Sequence, residues 1–325
     1  MNKEISLYIF KFKPILKGKV WGGEKLTTIL RKGEGEKLGE SWELSGVDDN
    51  ISIVANGELN GISLRELIKE CKGDLVGEKV YSRFGNDFPL LFKFIDARED
   101  LSVQLHPDDL LAQDRHNSYG KTEMWYILDA EKDARLILGF NQKMTEATYL
   151  KHLSENNITE ILHSEKVKKG DAFYLKPGTV HAIGAGVLLA EIQQTSDITY
   201  RIYDWDRPDT DGKLRELHTD LALRAIDFNS PNARLEYSEE KDKTVRIFKS
   251  TYFETNKLDL SNSFTKDLSQ IDSFVVYMCL EGSAVIETEN SSEEISKGET
   301  VLIPANSRQI KFRTNSATFL EVYVP

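Results

Sequence analysis

One stretch of the chain occurs twice, and this repeat limits the folds that the sequence can adopt. Residues 167–183, VKKGDAFYLKPGTVHAI, resemble residues 295–310, ISKGETVLIPANSRQI, in a Lys-Gly-acid turn, an apolar strand and a proline at the next turn. Upstream of each copy, EMWYILDAEKDARLIL and SFVVYMCLEGSAVIET also match as a strand, a turn and a second strand. The sequence therefore predicts two copies of one small β unit.

The remaining sequence is mostly short alternating or apolar runs separated by Gly, Asn and Asp turns, which is typical of sandwiches and barrels. A doubled unit of this kind resembles the jelly-roll barrel of the cupin type. We therefore predict a mainly β fold of double cupin jelly-roll barrels with short helical insertions. One helix should begin at the capping box of Ser63 and Glu66, a second should cover roughly residues 145–152 with an extension toward 162, and a third should follow Thr219.

A polar stretch at residues 227–244, which contains Pro231 and ends in a charge run, indicates a domain boundary, with an ordinary surface loop as the alternative. We predict a metal-binding catalytic cupin domain with helical insertions at residues 1–235 and a degenerate, metal-free cupin barrel at residues 236–325. The copies differ at one informative position. Pro177 is followed four residues later by His181, whereas Pro304 is followed at the same spacing by Arg308.

Charge and cysteine content exclude several classes of partner. The 325 residues carry 42 Lys and Arg against 53 Asp and Glu, and this net charge of −11 disfavours nucleic acid and anionic membranes. Cys71 and Cys279 lie far apart and suggest neither a disulfide framework nor a thiolate metal site. With no run of membrane-spanning length and no signal-peptide pattern, we expect a cytoplasmic protein without an obligate protein partner.

A first candidate ligand lies in the strand-like segment 100–109, DLSVQLHPDD. The two-residue period of a strand puts Ser102, Gln104 and His106 on one face, opposite three apolar side chains. A lone histidine on a strand is more often a hydrogen-bonded structural residue than a metal ligand. The neighbouring polar side chains favour a ligand.

Two further candidates lie in other apolar strands. Lys121, Glu123 and Trp125 share one face of the segment GKTEMWYIL, where a carboxylate is costly to bury unless a cation or a metal meets it. His181 stands at the start of a third strand, after a Pro-Gly turn. Two imidazoles and one carboxylate inside a barrel suit Zn²⁺, Fe²⁺ or Mn²⁺, so we predict that His106, Glu123 and His181 form a metal site.

A second charged group follows in LLAEIQQTSDITYRIYDWDRP. Glu191 and Arg201 each interrupt an apolar run, and Arg207 comes shortly afterwards. One interpretation is a surface salt bridge. The other is an acid/base carboxylate and a guanidinium that face the metal, because Arg stabilises negative charge on oxygen and binds phosphate in a bidentate manner.

Together these residues resemble class I phosphomannose isomerase, also called mannose-6-phosphate isomerase, in its short bacterial form. Four blocks carry the resemblance, in order along the chain: GESWELS (39–45), PLLFKFIDAREDLSVQLHPDD (89–109), GKTEMWYIL (120–128) and KPGTVHAIGAGVLLAEIQQTSDITYRIYDWDR (176–207). The match covers most of the chain and is weaker after residue 244. The chain lacks the long helical insertion of the eukaryotic form.

The resemblance implies a zinc enzyme that interconverts D-mannose 6-phosphate and D-fructose 6-phosphate, with one Zn²⁺ per chain. By similarity, His106, Glu123 and His181 would hold the zinc. The resemblance implies further roles by position. Gln104 is a candidate fourth ligand and substrate-binding residue, Arg201 the active-site arginine, Lys121 an active-site lysine and Ser102 a substrate-binding serine. Arg207, at a position where longer members carry a lysine, is a substrate-binding residue for the phosphate.

Aldose–ketose exchange moves a proton between C1 and C2, most easily through an enediolate whose oxygen charge must be stabilised. We expect Arg201 to stabilise this charge and Glu191 to act as the base, with Lys121 and zinc-bound water as competing candidates for the base. Since the net charge of the chain repels a sugar phosphate, Lys93, Lys121, Arg201 and Arg207 should form a local basic pocket.

Two alternative functions remain open at this point. Two histidines and one carboxylate in a cupin also match the ligand set of non-haem iron dioxygenases. A non-catalytic sugar-binding cupin is the second alternative, although binding alone rarely needs three charged side chains beside a metal. Metal analysis separates the dioxygenase, which should depend on oxygen and lose activity when Zn²⁺ replaces Fe²⁺. The sugar-binding cupin should have an intact pocket without isomerase turnover.

Overall fold

The computed structural model describes residues 6–229 and 232–325, so Ser230 and Pro231 of the predicted boundary lie outside the described residues. Within the described residues the strands are β1 (Phe10–Lys11), β2 (Ile15–Gly23), β3 (Leu38–Ser45), β4 (Leu90–Ala97), β5 (Val103–Leu105), β6 (Glu123–Ala130), β7 (Arg135–Phe140), β8 (Leu162–Lys166), β9 (Ala172–Leu175), β10 (His181–Ile183), β11 (Val187–Gln194), β12 (Tyr200–Tyr203), β13 (Arg234–Leu235), β14 (Thr244–Lys249), β15 (Glu254–Leu260), β16 (Phe264–Asp267), β17 (Val275–Glu287), β18 (Ser292–Ser296), β19 (Thr300–Ile303) and β20 (Gln309–Tyr323). The α-helices are α1 (Lys25–Thr28), α2 (Leu64–Val76), α3 (Glu78–Phe84), α4 (Asp109–His116), α5 (Glu146–Ser154) and α6 (Thr219–Leu223), with one 3₁₀ helix at Ile158–Ile161.

Two sheets face each other in the first barrel. One has the strand order β12-β5-β10-β7-β8 and the other the order β13-β9-β6-β11-β4-β2-β3. Apolar side chains from both sheets form the interior, among them Ile95, Ile127, Leu138 and Leu189. The outer face of the five-stranded sheet is covered by α5 and α6, which pack on it through Tyr149 and Ala222.

The second barrel is a single eight-stranded sheet built around β1-β19-β17-β20-β15-β14, with β16 and β18 pairing to its longest strands. Its interior is mostly apolar and aromatic, and Tyr277, Phe312 and Phe319 make ring contacts with one another there. One carboxylate, Glu321, is also buried there and accepts hydrogen bonds from Asn256, Lys266 and Tyr277. The predicted mainly β architecture is confirmed.

Alternation along the strands explains how the two barrels meet. On β6, Glu123 and Trp125 face the interior of the first barrel, whereas Met124 and Tyr126 belong to a core shared with Val276 of β17. Because side chains of a strand point alternately to the two faces of its sheet, the central strands β4, β6 and β11 of the seven-stranded sheet contribute to both cores. The barrels therefore pack sheet against sheet through one continuous apolar layer.

The helices occur close to the predicted positions. α2 begins at Leu64, directly after its N-cap Ser63, whose side chain and that of Glu66 form the expected capping box, and α6 begins at Thr219. The predicted extension of α5 toward residue 162 is wrong, because the helix ends at Ser154 and a short 3₁₀ helix follows at Ile158–Ile161. No helix among residues 6–229 and 232–325 has the length and apolar composition needed to cross a membrane.

The division of the chain near residue 235 stays a prediction. On one side of it, β13 pairs with β9 of the first barrel, and on the other side β14 belongs to the second. The chain also crosses between the barrels at its start, because β1 pairs with β19 whereas β2 pairs with β3.

Candidate metal centre and substrate cavity

The three predicted ligands converge at one end of the first barrel. His106 follows β5, Glu123 is the first residue of β6 and His181 is the first residue of β10, and all three side chains are buried. One ligand atom from each lies within 4.8 Å of the others. His106 Nε2 is 3.2 Å from Glu123 Oε1, and His181 Nε2 is 3.7 Å from Glu123 Oε2.

The Pro-Gly turn before β10 fixes the position of His181. Gly178 has a φ of +81°, and a Cβ atom at this residue would meet the carbonyl oxygen of Ala225 at 2.4 Å, so the turn requires glycine. The Gly178 amide donates a 2.8 Å hydrogen bond to the carbonyl oxygen of His106. The turn therefore ties the two histidine ligands together through the backbone.

Both imidazoles have the tautomer that a metal ligand needs, with the proton on Nδ1 and a lone pair on Nε2. Nδ1 lies 2.8 Å from a backbone carbonyl in each case, Ile198 for His106 and Thr179 for His181, so each Nδ1 carries the proton and donates it. Each Nε2 then presents a lone pair toward Glu123. Both Glu123 oxygens and His181 Nε2 are buried and make no hydrogen bond within the described residues.

Lys121 Nζ, 2.9 Å from Glu123 Oε1, offsets part of this charge. Glu123 Oε2 and His181 Nε2, however, face each other at 3.7 Å, which is unfavourable unless a further cation lies between them. The residues present therefore fit a divalent metal ion held by two imidazoles and one carboxylate. Burial, reinforced by the charge of Lys121, lowers the pKa of His106 to about 4, and burial also lowers the pKa of His181. Both rings are neutral at physiological pH, as metal ligands must be.

Lys121 stands directly beside this group. Its Nζ lies 2.9 Å from Glu123 Oε1 and 3.3 Å from His106 Nε2, and the side chain is buried. Although burial opposes the negative charge, Lys121 and the two histidines hold the pKa of Glu123 well below its usual range. Lys121 thus keeps this carboxylate ionised.

Three polar side chains are neighbours on the five-stranded sheet. In the strand register, Gln104 of β5 is paired with His181 of β10 on one side and with Arg201 of β12 on the other. Gln104 Oε1 accepts a 3.1 Å hydrogen bond from the Ser102 hydroxyl. The structure therefore brings Ser102, Gln104 and Arg201 to the same wall as His181.

Three more residues are neighbours on the facing sheet. Glu191 of β11 is paired with Lys93 of β4 and with Trp125 of β6. Lys93 Nζ donates to Glu191 Oε1 at 2.9 Å and to Gln193 Oε1 at 2.7 Å, and Trp125 Nε1 donates to Glu191 Oε2 at 2.8 Å. Both oxygens of Glu191 are therefore fixed. Burial opposes the charge of Lys93, but Glu191 and Glu40 raise the pKa of Lys93 and keep it protonated.

A cavity of about 450 Å³ lies between these two walls. It falls within the range of roughly 300–1,000 Å³ that small-molecule sites span. Among the described residues, six Lys or Arg side chains and three carboxylates line it, namely Lys17, Lys19, Lys93, Lys121, Arg201 and Arg215 against Glu40, Glu191 and Asp197. The predicted local excess of bases in an acidic chain is present.

Arg215 is a functional candidate that the sequence did not reveal. It lines the cavity beside Arg201, and its Nε donates a 2.7 Å hydrogen bond to Asp204 Oδ2. Burial, and next the charge of Arg215, lower the pKa of Arg201. The Arg201 Nε–H is buried and unpartnered within the described residues. The pair offers an anion two adjacent cations.

Arg207 lies outside the cavity wall formed by the described residues. Its guanidinium donates to Asp204 Oδ1 at 3.3 Å and to Glu99 Oε2 at 3.2 Å. It thus reaches the cavity only through Asp204, which also holds Arg215.

Glu40 and Trp42 line the cavity and could have been predicted from the sequence. They are two residues apart on β3, within the first block of the family resemblance, and alternation alone places them on one face. Trp42 Nε1 donates a 2.7 Å hydrogen bond to Glu40 Oε2, and Lys93 Nζ lies 5.1 Å from the centroid of the Trp42 ring. By contrast, the segment that carries Arg215 has no period that predicts where a side chain points.

Known proteins share both the sequence and the fold. The profile described as "Phosphomannose isomerase type I, catalytic domain" matches residues 9–160, and "Mannose-6-phosphate isomerase, cupin domain" matches residues 243–324. The chain is 37% identical over 307 residues to mannose-6-phosphate isomerase ManA of Bacillus subtilis, covering 92% of this chain and 94% of that protein. The chain belongs to the type I mannose-6-phosphate isomerase family.

One further relative and one solved structure support the same family assignment. Mannose-6-phosphate isomerase of Streptococcus mutans is 34% identical over 301 residues, or 90% of this chain and 92% of that protein. A crystal structure of the mannose 6-phosphate isomerase from Bacillus subtilis superimposes with a TM-score of 0.88 at 30% identity, covering 97% of this chain and 99% of the other.

The resemblance drawn from the four sequence blocks is therefore confirmed, as are the cupin fold and the prediction that the chain is an enzyme of this isomerase family. The buried group His106, Glu123 and His181 could hold a metal ion. The roles of the individual residues remain proposals.

Proposed function

We propose that this chain interconverts D-mannose 6-phosphate and D-fructose 6-phosphate with one zinc ion bound by His106, Glu123 and His181. One observation carries the proposal: these three buried ligands adjoin a basic cavity that also presents Glu191 and Arg201. The relatives named as mannose-6-phosphate isomerases match over nine-tenths of the chain. A cavity of about 450 Å³ accommodates one hexose phosphate.

Zinc suits this donor set because catalytic zinc sites commonly have three nitrogen or oxygen ligands from the protein and leave a position open. Gln104 is the candidate fourth ligand, since it is paired with His181 in the sheet. A bound divalent ion would supply Lewis acidity to the sugar oxygens at C1 and C2. The side chains around the ion would carry out the remaining chemistry.

Glu191 is the proposed base. Lys93 and Trp125 each donate a hydrogen bond to one of its oxygens, so the carboxylate is oriented while its other lone pairs remain available. It would take the proton from one carbon of the sugar and return it to the neighbouring carbon. Lys121, 2.9 Å from Glu123, is the alternative proton-transfer group.

Arg201 and Arg215 are proposed to bind the anionic part of the substrate. Arg201 adjoins Gln104 in the sheet and would stabilise negative charge that develops on the sugar oxygens, while Arg215 would contact the phosphate. Ser102 and Lys93 would contribute further hydrogen bonds to the sugar. Arg207 would act through Asp204, which it shares with Arg215. We further propose that the enzyme works in the cytoplasm on this small-molecule substrate without an obligate protein, nucleic-acid or membrane partner.

A coupled assay of mannose 6-phosphate conversion tests the proposal. We expect turnover by the purified chain, loss of turnover after treatment with a chelator, and recovery when Zn²⁺ is added back. Absence of turnover under all three conditions would overturn the proposed function. Turnover that instead requires iron and dioxygen would favour the oxygenase alternative.

Glu191→Gln tests the base separately, because the amide keeps the size of the side chain but cannot accept the proton. We expect kcat to fall by a factor of about 10²–10⁴, the usual contribution of general base catalysis. If the variant kept a near-normal kcat, Glu191 would be excluded as the base and Lys121 would become the candidate.

A further inference from the structure

A side chain of the second barrel contacts the active-site region of the first. Tyr252 lies in the turn between β14 and β15, and its hydroxyl donates a 2.7 Å hydrogen bond to Asp109 Oδ2 at the start of α4. Asp109 comes three residues after the ligand His106. A residue of the metal-free barrel is therefore connected to the loop that runs from one metal ligand to the next.

Asp109 is also hydrogen-bonded to the segment that leads into Lys121 and Glu123. Its Oδ1 accepts hydrogen bonds of 2.9 Å from the Gly120 amide and of 2.9 Å from Gln194 Nε2. Gln194 Oε1 in turn accepts a 3.0 Å hydrogen bond from the Thr122 amide. The carboxylate thus holds Gly120 directly and Thr122 through Gln194, on the two sides of Lys121.

The loop is packed tightly at this point. A Cβ atom on Gly120 would meet the Asp109 amide nitrogen at 2.5 Å and the Asp108 carbonyl carbon at 2.7 Å, so any larger residue would push the two ends of the loop apart. The Lys121 amide also donates a 3.1 Å hydrogen bond to the Pro107 carbonyl. The 107–122 loop, which contains helix α4, is therefore closed on itself around Asp109.

The turn that carries Tyr252 is itself held in place. The Ser250 hydroxyl oxygen accepts hydrogen bonds from the amides of Tyr252 and Phe253, and Phe253 is buried in the core shared by the barrels. Burial, and next the hydrogen bond to Asp109, raise the pKa of Tyr252 to about 12, so its hydroxyl remains a donor at physiological pH. The donor therefore has a fixed position and a fixed protonation state.

From this geometry we infer that Tyr252 is a positioning residue for the metal centre and acts through Asp109 and Gly120. It orders the 107–122 loop so that the Lys121 ammonium and the Glu123 carboxylate meet beside His106. The second barrel, which has a mostly apolar interior of its own, thereby contributes to the site in the first. The kinetic part of this inference rests on the proposed isomerase function, whereas the ordering of the loop does not.

Hydrogen–deuterium exchange on the full-length zinc-loaded protein tests the ordering directly. In Tyr252→Phe we expect amide exchange in peptides covering residues 107–122 to rise at least tenfold, because Asp109 loses its donor from the second barrel. Tyr323→Phe is the matched control, since the Tyr323 hydroxyl donates an equally short bond of 2.7 Å to Glu254 Oε1 within the second barrel. The control should leave exchange in residues 107–122 unchanged.

Two further measurements distinguish positioning from general stability. We expect Tyr252→Phe to release zinc to a chromogenic chelator at least fivefold faster than wild type and to lower kcat about tenfold with KM changed less than twofold. Adding Asp109→Asn to Tyr252→Phe should cause little further change, because both act on one loop.

If exchange and zinc release in Tyr252→Phe match those of Tyr323→Phe, the inference is wrong, even if the wild-type chain is an isomerase. If wild type shows no turnover, the proposed function fails, and exchange and zinc release still decide the role of Tyr252.

Discussion

Lys93 Nζ donates a 2.9 Å hydrogen bond to Glu191 Oε1, and both side chains are buried in the cavity wall. Breaking a buried ion pair by removal of one partner leaves an uncompensated charge, which costs about 3–5 kcal/mol. We therefore expect Lys93→Met to lower the free energy of unfolding by roughly that amount, measured by urea denaturation. The double variant Lys93→Met/Glu191→Gln should regain most of the loss. A single variant as stable as wild type would show that Glu191 does not depend on Lys93.

The metal site predicts a specific response of thermal stability. Zinc that binds only the folded chain stabilises it by about 4 kcal/mol when its free concentration is 1,000 times Kd. We expect added Zn²⁺ to raise the Tm of chelator-treated wild type and to have little effect on His181→Asn, as measured by scanning calorimetry. His163→Asn is the control, because His163 is exposed on β8 and should retain the full zinc response. An equal zinc response in both variants would contradict the assigned ligand set.

Arg215 should contribute more to substrate binding than Arg207. A hydrogen bond to a charged group contributes about 1.5–3 kcal/mol, so Arg215→Met should raise the KM for mannose 6-phosphate by roughly 10- to 100-fold. Arg207→Met should raise it only a few-fold, because Arg207 contacts Asp204 and Glu99 rather than the cavity. Steady-state kinetics with both variants checks the order. The reverse order would assign the phosphate to Arg207, as sequence position alone suggests.

The contrast between Arg207 and Arg215 shows what the sequence can predict here. The faces of β5 and β6 follow from alternation, so Gln104 and Glu123 could be assigned to the barrel interior in advance. The pairing of Gln104 with both His181 and Arg201 joins strands that are distant in sequence, and strand register over such distances has no local signal.

Most of the site residues and elements that could not be predicted from the sequence lie in irregular segments or follow them. Arg215 follows a loop that turns through Trp205 and Asp206, which both have positive φ, and no periodicity predicts the direction of the chain after such a turn. Helix α4 was also missed. Its N-cap Asp108 accepts a hydrogen bond from the Leu111 amide, but only one helical residue, Ala112, is buried, so the apolar pattern is too weak to indicate a helix.

The repeat itself leads to a last prediction, about the position where one copy has His181 and the other Arg308. In the first barrel Glu123 is paired with Leu175 near the turn, whereas in the second Val275 is paired with Ile303 at the corresponding place. His181 is buried, and Arg308 is exposed.

Restoring the histidine should therefore not restore a metal site, since Val275 and Ile303 offer no ligand at that pairing. The buried carboxylate of this barrel, Glu321, is already bound by Asn256, Lys266 and Tyr277. We expect Arg308→His to bind one zinc per chain, as wild type should, when metal content is measured by mass spectrometry after dialysis. Arg308→Ala serves as the control for loss of the exposed charge. A second equivalent of zinc in Arg308→His alone would mean that the copies differ by little more than this one residue.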